Sequence, residues 1–355
     1  MLVESTTVID LQNATMDPVR KDYILRFDIA GGYSGPLQVS IEVCGEGITG
    51  PPGGACMVFF NIEYVHGPVF WDAFLYPDTG STPWRTLSCD VRCRGEIRAV
   101  EMHIRFHAKG RLLLRNLGVV AIEPWPDDAE CVVAMFGDST DMTNYLPTAL
   151  RLGQRLEWLL RDRFPDRRVD IHCLAEGGEY LWRLLESGRL ERELQALPRC
   201  DIAMIRYGLN DRSQKVAPAD FKRQLHAACA TIRERFPAVR IVLSTTIPPH
   251  SAEYDAQTAA VAEELNLPLI RLDTFMRERS AAGDGDWHFQ AGSRIGRHRD
   301  RNPPDNPDGL AGDTHPNAYG AQMIAELYFD QLVHLVAERL VKSQEGGHVP
   351  AHPGK

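Results

Sequence analysis

The hydrophobic period of this chain changes once, near residue 124, and that change limits the folds open to it more than any other feature. Before it, apolar and polar residues alternate in short runs: Tyr23-Ile24-Leu25-Arg26-Phe27-Asp28-Ile29, Leu37-Gln38-Val39-Ser40-Ile41-Glu42-Val43 and Ala99-Val100-Glu101-Met102-His103-Ile104-Arg105-Phe106. A period of two puts every second side chain on one face of a strand. Gly31-Gly32 and Gly50-Pro51-Pro52-Gly53-Gly54 punctuate the runs, and no helix-period stretch intervenes. Residues 1–123 are therefore expected to form an all-β sandwich or jelly roll. Glu123-Pro124-Trp125-Pro126-Asp127-Asp128 carries prolines that cannot donate ladder hydrogen bonds, which predicts a linker over 124–130.

Beyond the linker, strand-like runs at 131–136, 169–174, 201–207, 240–245 and 268–273 alternate with helix-period segments at 147–163, 180–197, 218–236, 252–265 and 318–341. Such alternation predicts an α/β domain over 131–342, a parallel sheet of five strands with helices on both faces, followed by a flexible tail at 343–355. A length of 355 residues suits two domains. The 48 acidic residues outnumber the 39 basic ones, for a net charge of −9, so no phosphate-attracting excess points to nucleic acid. No run approaches the roughly 20 apolar residues of a membrane span. As written, the amino terminus lacks a basic-then-apolar leader, so the chain reads as cytoplasmic, or as secreted if a leader has been removed. Eight cysteines contain no CxxC pair, which reads as free core thiols; no metal or cofactor is expected.

In parallel sheets reactive groups gather at the carboxyl ends of strands. Gly137-Asp138-Ser139-Thr140 directly follows the first strand of the second domain, so Ser139 is either a nucleophile on an exposed turn or the N-cap of the next helix. Glu176-Gly177-Gly178 follows the second strand, Gly208-Leu209-Asn210-Asp211 the third, and Asp313-Thr314-His315-Pro316-Asn317 precedes the last helix. Alone, these read equally well as a turn, a capping side chain and a surface histidine. In this order they resemble the four sequence blocks of the SGNH (GDSL) hydrolases, over roughly residues 131–340.

That resemblance implies a three-layer, flavodoxin-like fold and a serine esterase. Ser139 would be the nucleophile, His315 its base and Asp313 the orienting acid, and the backbone N–H groups of Ser139 and Gly178 with the Asn210 amide would form the oxyanion hole. Gly177 is the alternative to Gly178. The chain departs from the family pattern twice. Gly312 stands three residues before His315, where the family has its acid, leaving either Asp313 or a Ser-His dyad; Cys173 stands where the family usually has Asn.

Residues 280–312 are a Gly, Pro, Asp and Arg-rich insertion in which Trp287, Arg294 and Arg297 are candidate substrate-binding residues, because guanidinium forks suit anionic or sugar-like groups. A solvated charged loop is the alternative. In the first domain, Trp71, Tyr76 and Trp84 suit either sugar stacking or core packing. The run Arg111-Leu112-Leu113-Leu114-Arg115-Asn116-Leu117-Gly118-Val119-Val120 resembles the closing strand of galactose-binding-like jelly rolls, and Gly-Asp-Ser-Thr resembles the rhamnogalacturonan-acetylesterase side of the superfamily. These resemblances imply removal of small acyl groups, acetyl above all, from a small-molecule or oligosaccharide ester; the charge and hydropathy leave neither nucleic acid nor membrane as an expected partner. Two alternatives remain at this point. Gly137-Asp138-Ser139-Thr140-Asp141 and Asp313-Thr314-His315 also fit Gly-Asp-x-x-Asp and Asp-x-His, the ligand patterns of a metal-dependent phosphoesterase; a decayed site would leave a non-catalytic carbohydrate-binding protein.

Overall fold

A computed structural model describes residues 2–15, 22–49, 56–66, 70–75, 77–91, 95–122, 129–143, 146, 148–247, 251–282, 315–316 and 318–345. Two compact units emerge, the first holding Met1–Trp125, Asn144–Leu150 and His288–Tyr319, the second Pro126–Thr143, Arg151–Trp287 and Gly320–Lys355.

The first unit contains β1 (Val3–Ser5), β2 (Ile9–Asn13), β3 (Asp22–Tyr33), β4 (Leu37–Thr49), β5 (Cys56–Tyr64), β6 (Phe70–Leu75), β7 (Gly80–Val91), β8 (Ile97–Phe106) and β9 (Lys109–Ala121). One antiparallel sheet runs β1-β9-β4-β7, with β2 also on β9; the other runs β3-β8-β5-β6. The alternation seen in the sequence decides which side chains fill the core. Leu37, Val39, Ile41 and Val43 of β4 are buried, while Gln38, Ser40 and Glu42 between them are partly exposed. They join Val58, Phe60 and Ile62 of β5 and Ile104 of β8 in one apolar cluster. Trp84 lies half-buried under the Arg115 guanidinium, 4.0 Å from its ring centre, and Arg115 in turn pairs with Glu42 at 2.7 Å. The Trp71 side chain and Tyr76 lie outside the described residues.

The second unit contains β10 (Cys131–Phe136), α1 (Ser139–Met142), α2 (Leu152–Arg163), β11 (Val169–Cys173), α3 (Leu181–Glu186), α4 (Arg189–Ala196), β12 (Ile202–Ile205), α5 (Leu209–Ser213), α6 (Pro218–Arg235), β13 (Arg240–Ser244), α7 (Ala252–Glu264), β14 (Leu269–Ile270), α8 (Leu272–Ala281) and α9 (Ala318–Glu345). The sheet order is β11-β10-β12-β13-β14, parallel throughout, which is the flavodoxin-like arrangement expected. Every residue of β10 and β12 is buried, because a central parallel strand has helices over both faces.

Three expected elements change. The helix expected over 180–197 is broken into α3 and α4 at Gly188, which sits at φ +63°, a conformation that ends one helix and restarts the next at little cost for a residue without Cβ. The helix expected from residue 147 begins only at Leu152, after a 3₁₀ turn at Thr148–Leu150 and an extended Arg151. The strand expected over 268–273 shortens to Leu269–Ile270 because α8 already begins at Leu272: the Asp273 N–H donates to Thr245 Oγ1 at 3.0 Å and its carboxylate sits in the first turn, where the helix dipole favours it. The last helix continues to Glu345, past the expected end at 341 and into the segment expected as a tail, and the described cysteines are all free. Among the described residues no helix is long and apolar enough to cross a membrane.

Helices α6 and α7 cover one side of the sheet through Phe221, fully buried and packed edge-on to Tyr254 with ring centroids 5.2 Å apart. Phe221→Ala is expected to cost about 3–5 kcal/mol, the loss of a large buried ring plus the cavity it leaves, read as a lowered urea midpoint.

Candidate active site

The turn after β10 is built by Asp138. Its backbone is extended, it is the N-cap of α1, and its Oδ1 accepts from Thr140 N at 2.8 Å and from Thr140 Oγ1 at 2.7 Å. Capping therefore falls to Asp138 and leaves Ser139 as the first helical residue, whose N–H helix geometry directs outward from the helix start. Residues 131–138, Thr140 and Asp141 are all buried; within 131–141 only Ser139 reaches solvent. Thr143, at φ 42°, closes the single turn by donating its N–H to Ser139 O at 3.0 Å.

Beneath the serine lies a buried ion pair. Arg206, which follows β12, donates from Nε to Asp141 Oδ2 and from Nη2 to Thr140 Oγ1, each at 2.7 Å. Tyr328 of α9 adds a longer contact to Asp141 Oδ1 at 3.5 Å. Burial pushes the Asp141 carboxyl up to about 7, against the pull of Arg206; burial alone would lower Arg206, but Asp141, Tyr328 and Asp138 together outweigh it and hold the guanidinium above its ordinary range. Asp141 packs so closely that a Cβ on Gly137 would meet its Oδ2 at 2.0 Å, so residue 137 must be glycine. The Asp141 carboxylate, one of the metal-ligand candidates in the phosphoesterase reading, is thus committed to Arg206 and Tyr328.

Neighbouring strand ends are fastened to this turn. Glu176 N donates to Gly137 O at 3.0 Å and Arg206 N to Phe136 O at 2.9 Å, which sets the second and third blocks beside the first. Gly177 and Gly178 are exposed, with Gly178 at φ +75° and open space where a Cβ would stand. Asn210 Nδ2 donates to Glu179 O at 2.9 Å, which orients the amide next to Gly178. Asp211 accepts from Leu181 N and from Gly208 N, both at 3.0 Å; burial pushes its carboxyl up to about 7. Gly208, at φ +130°, would place a Cβ 2.9 Å from Tyr254 Cβ, which again demands glycine. Under Gly178, Glu179 is fully buried, bonded to Arg189 and, at 2.7 Å, to Tyr207 Oη; burial raises its carboxyl.

Ser139, Gly178 and Asn210 are therefore brought to adjacent strand ends. His315 is half-buried and belongs to the segment grouped with the first unit. Asp313, Trp287, Arg294 and Arg297 lie outside the described residues. Cys173 is half-buried, with Sγ 3.7 Å from Asp141 O, a weak bond in place of the expected polar brace. Sequence reasoning missed Arg206, Glu179 and Arg189. The available signal was a charge placed directly after the apolar run Ile202-Ala203-Met204-Ile205.

A model of the GDSL-like lipase/acylhydrolase family matches residues 135–323, more than half of the 355. No curated protein sequence matches the chain. Among solved structures, a Bacillus subtilis protein is 17% identical over 92% of this chain and 88% of its own, with a TM-score of 0.45. A family two carbohydrate esterase from Cellvibrio japonicus is 14% identical over 94% of this chain and 99% of its own, at TM-score 0.41. Another from Clostridium thermocellum, solved with cellohexaose, is 12% identical over 90% and 93%, at 0.40.

Arg206→Met is expected to cost about 3–5 kcal/mol, since it strands a buried carboxylate without its cation. Adding Asp141→Leu to the same chain should return most of that loss in chemical denaturation.

Proposed function

The chain belongs to the GDSL-like lipase/acylhydrolase family and is a hydrolase acting on ester bonds; from that membership we propose a serine esterase that removes small acyl groups, acetyl above all, from carbohydrate. The observation that carries the reading is the single solvent-reaching hydroxyl of the β10–α1 turn, capped by Asp138 and flanked by Gly178 and Asn210.

In this mechanism Ser139 Oγ attacks the ester carbonyl carbon while His315 takes its proton. The carbonyl π electrons move to oxygen, and the resulting oxyanion is met by the N–H groups of Ser139 and Gly178 and the second N–H of the Asn210 amide. The bond to Glu179 O uses one amide hydrogen and holds the other in a fixed direction. Collapse breaks the bond to the sugar oxygen, which leaves with the proton held by His315. Water then attacks the acyl-serine by the same route and frees acid and enzyme.

Thr140 supports the carbohydrate assignment only through the likeness of Gly-Asp-Ser-Thr to the rhamnogalacturonan-acetylesterase side. Its hydroxyl also explains physically why Thr stands there, because Asp138 and Arg206 both bond to it. The deciding experiment is an esterase screen of acetylated oligosaccharides beside p-nitrophenyl esters of increasing chain length. Rates highest on acetylated sugars support the assignment, and rates that rise with acyl length overturn it.

Ser139→Ala should abolish p-nitrophenyl acetate hydrolysis with little change in melting temperature, and Asn210→Ala should lower kcat by roughly 10² to 10³. For the acid, Asp313→Asn is expected to lower kcat by roughly 10³ to 10⁴ if Asp313 orients His315. A loss below about tenfold, alongside an inactive His315→Ala, assigns a Ser-His dyad instead.

A further inference from the structure

Immediately after the exposed Gly177-Gly178 turn, two aromatic rings stand partly in solvent. Tyr180 is the half-buried N-cap of α3, and Trp182 in its first turn is 49% exposed. Their ring planes lie within 15° of parallel, with centroids 6.1 Å apart. The helix is amphipathic in a way that fixes this orientation: Leu181 and Leu184 are buried, which turns Trp182 outward.

The segment carrying the rings is stapled to the third block twice. Asn210 Nδ2 holds Glu179 O at 2.9 Å, and Asp211 Oδ1 holds Leu181 N at 3.0 Å. The bonds fall on the residues that alternate with Gly178, Tyr180 and Trp182. The same two side chains therefore set the Gly178 N–H and the aromatic pair in one fixed relation. Tyr180 Cα can lie no farther than about 7 Å from Gly178 Cα, two extended residues away.

From this arrangement we infer that Tyr180 and Trp182 form a platform for the sugar ring that bears the scissile ester, an inference that rests on the carbohydrate-esterase reading. A pyranose ring presents a face of C–H groups that packs on a flat π surface, while its hydroxyls point sideways to polar partners. The phenol, the indole N–H and Arg183 supply that polar edge, Arg183 being held by Glu176 Oε1 at 2.7 Å. A fatty acyl chain instead favours a concave apolar groove. The ester carbonyl would lie toward Gly178, and the sugar, as leaving alcohol, over the rings.

The test uses the full chain and three substrates, an acetylated xylo-oligosaccharide, p-nitrophenyl acetate and p-nitrophenyl benzoate. Trp182→Ala should lower the ratio of kcat/KM for the oligosaccharide to that for p-nitrophenyl acetate by about tenfold, the scale of one lost stacking contact, mainly through KM. Trp182→Phe, which keeps a flat ring, should recover most of the ratio, and this separates stacking from loss of folding. A ratio unchanged within about twofold overturns the platform. So does a larger loss on p-nitrophenyl benzoate than on the sugar, which assigns the rings to an aromatic acyl group.

A second measurement separates the platform from the reaction. Deacetylated xylo-oligosaccharide is titrated into the Ser139→Ala protein while indole emission is followed. The expected result is a saturable change that is lost in Ser139→Ala/Trp182→Phe. If the wild-type enzyme cleaves p-nitrophenyl acetate but not the acetylated sugar, the carbohydrate-esterase reading fails; an absent indole response overturns the platform whichever way the activity falls.

Discussion

A buried ion pair between Asp141 and Arg206 underlies the serine turn, and the rest of the site depends on where it sits. It joins the segment after β10 to the residue after β12, the two strand ends that frame Ser139. Such a pair contributes little net stability, because removing both charges from water offsets most of their attraction. Its consequence is geometric. Thr140, Asp138 and Gly137 take positions set by that pair, and substitutes larger than glycine at 137 collide with Asp141. A serine on so short a helix has almost no helical hydrogen bonding of its own to hold it, so tertiary polar bonds fix its place.

A second polar cluster repeats the device one strand over. Arg189 is buried and gathers Glu179, Glu176 and Glu193 around it, and it also holds the Leu174 carbonyl at the end of β11. Tyr207 ties Glu179 to the end of β12. The loop carrying Gly178 thus rests on buried charges that meet partners of opposite sign. Its exposed glycines border open space, while Asn210 and Asp211 set the direction in which the chain enters α3. Rigid support beneath an exposed loop is what the proposed oxyanion donors would require, since donors that must reorganise during reaction stabilise the transition state less.

Both units arise from hydrophobic period, but they are legible to different degrees. In β4 the alternation of Leu37, Val39, Ile41 and Val43 with polar residues specifies both the strand and its buried face. In the second unit Cys131–Phe136 is uniformly apolar, and the sequence places it correctly because turn residues bound it. Boundaries fail where a single backbone conformation decides them. Gly188 splits one helix-period segment in two through its left-handed backbone, and Asp273, in the first turn of α8, helps turn the end of an expected strand into a helix, its polar bonds outweighing the apolar pattern.

Sequence alone determined the class of fold and the three short blocks that follow β10, β11 and β12, because hydrophobic period and strand-end motifs are local properties of a chain. It also placed Ser139 on the turn directly after an apolar strand, where the structure has it. It did not reveal which residue caps the turn, for Asp138 and Ser139 are both good caps and only the hydrogen bonds of Thr140 separate them. Nor did it reveal Arg206 with Asp141, Arg189 with Glu179, or Tyr180 beside Trp182 next to Gly178. Arg206 and Asp141 are 65 residues apart and meet because the parallel sheet aligns the ends of β10 and β12, whereas Arg189 and Glu179, 10 residues apart, meet because α3 and the break at Gly188 fold the connection back on itself. Tyr180 and Trp182 are close in sequence, but their exposure depends on which face of α3 is buried, and only the packing of Leu181 and Leu184 decided that.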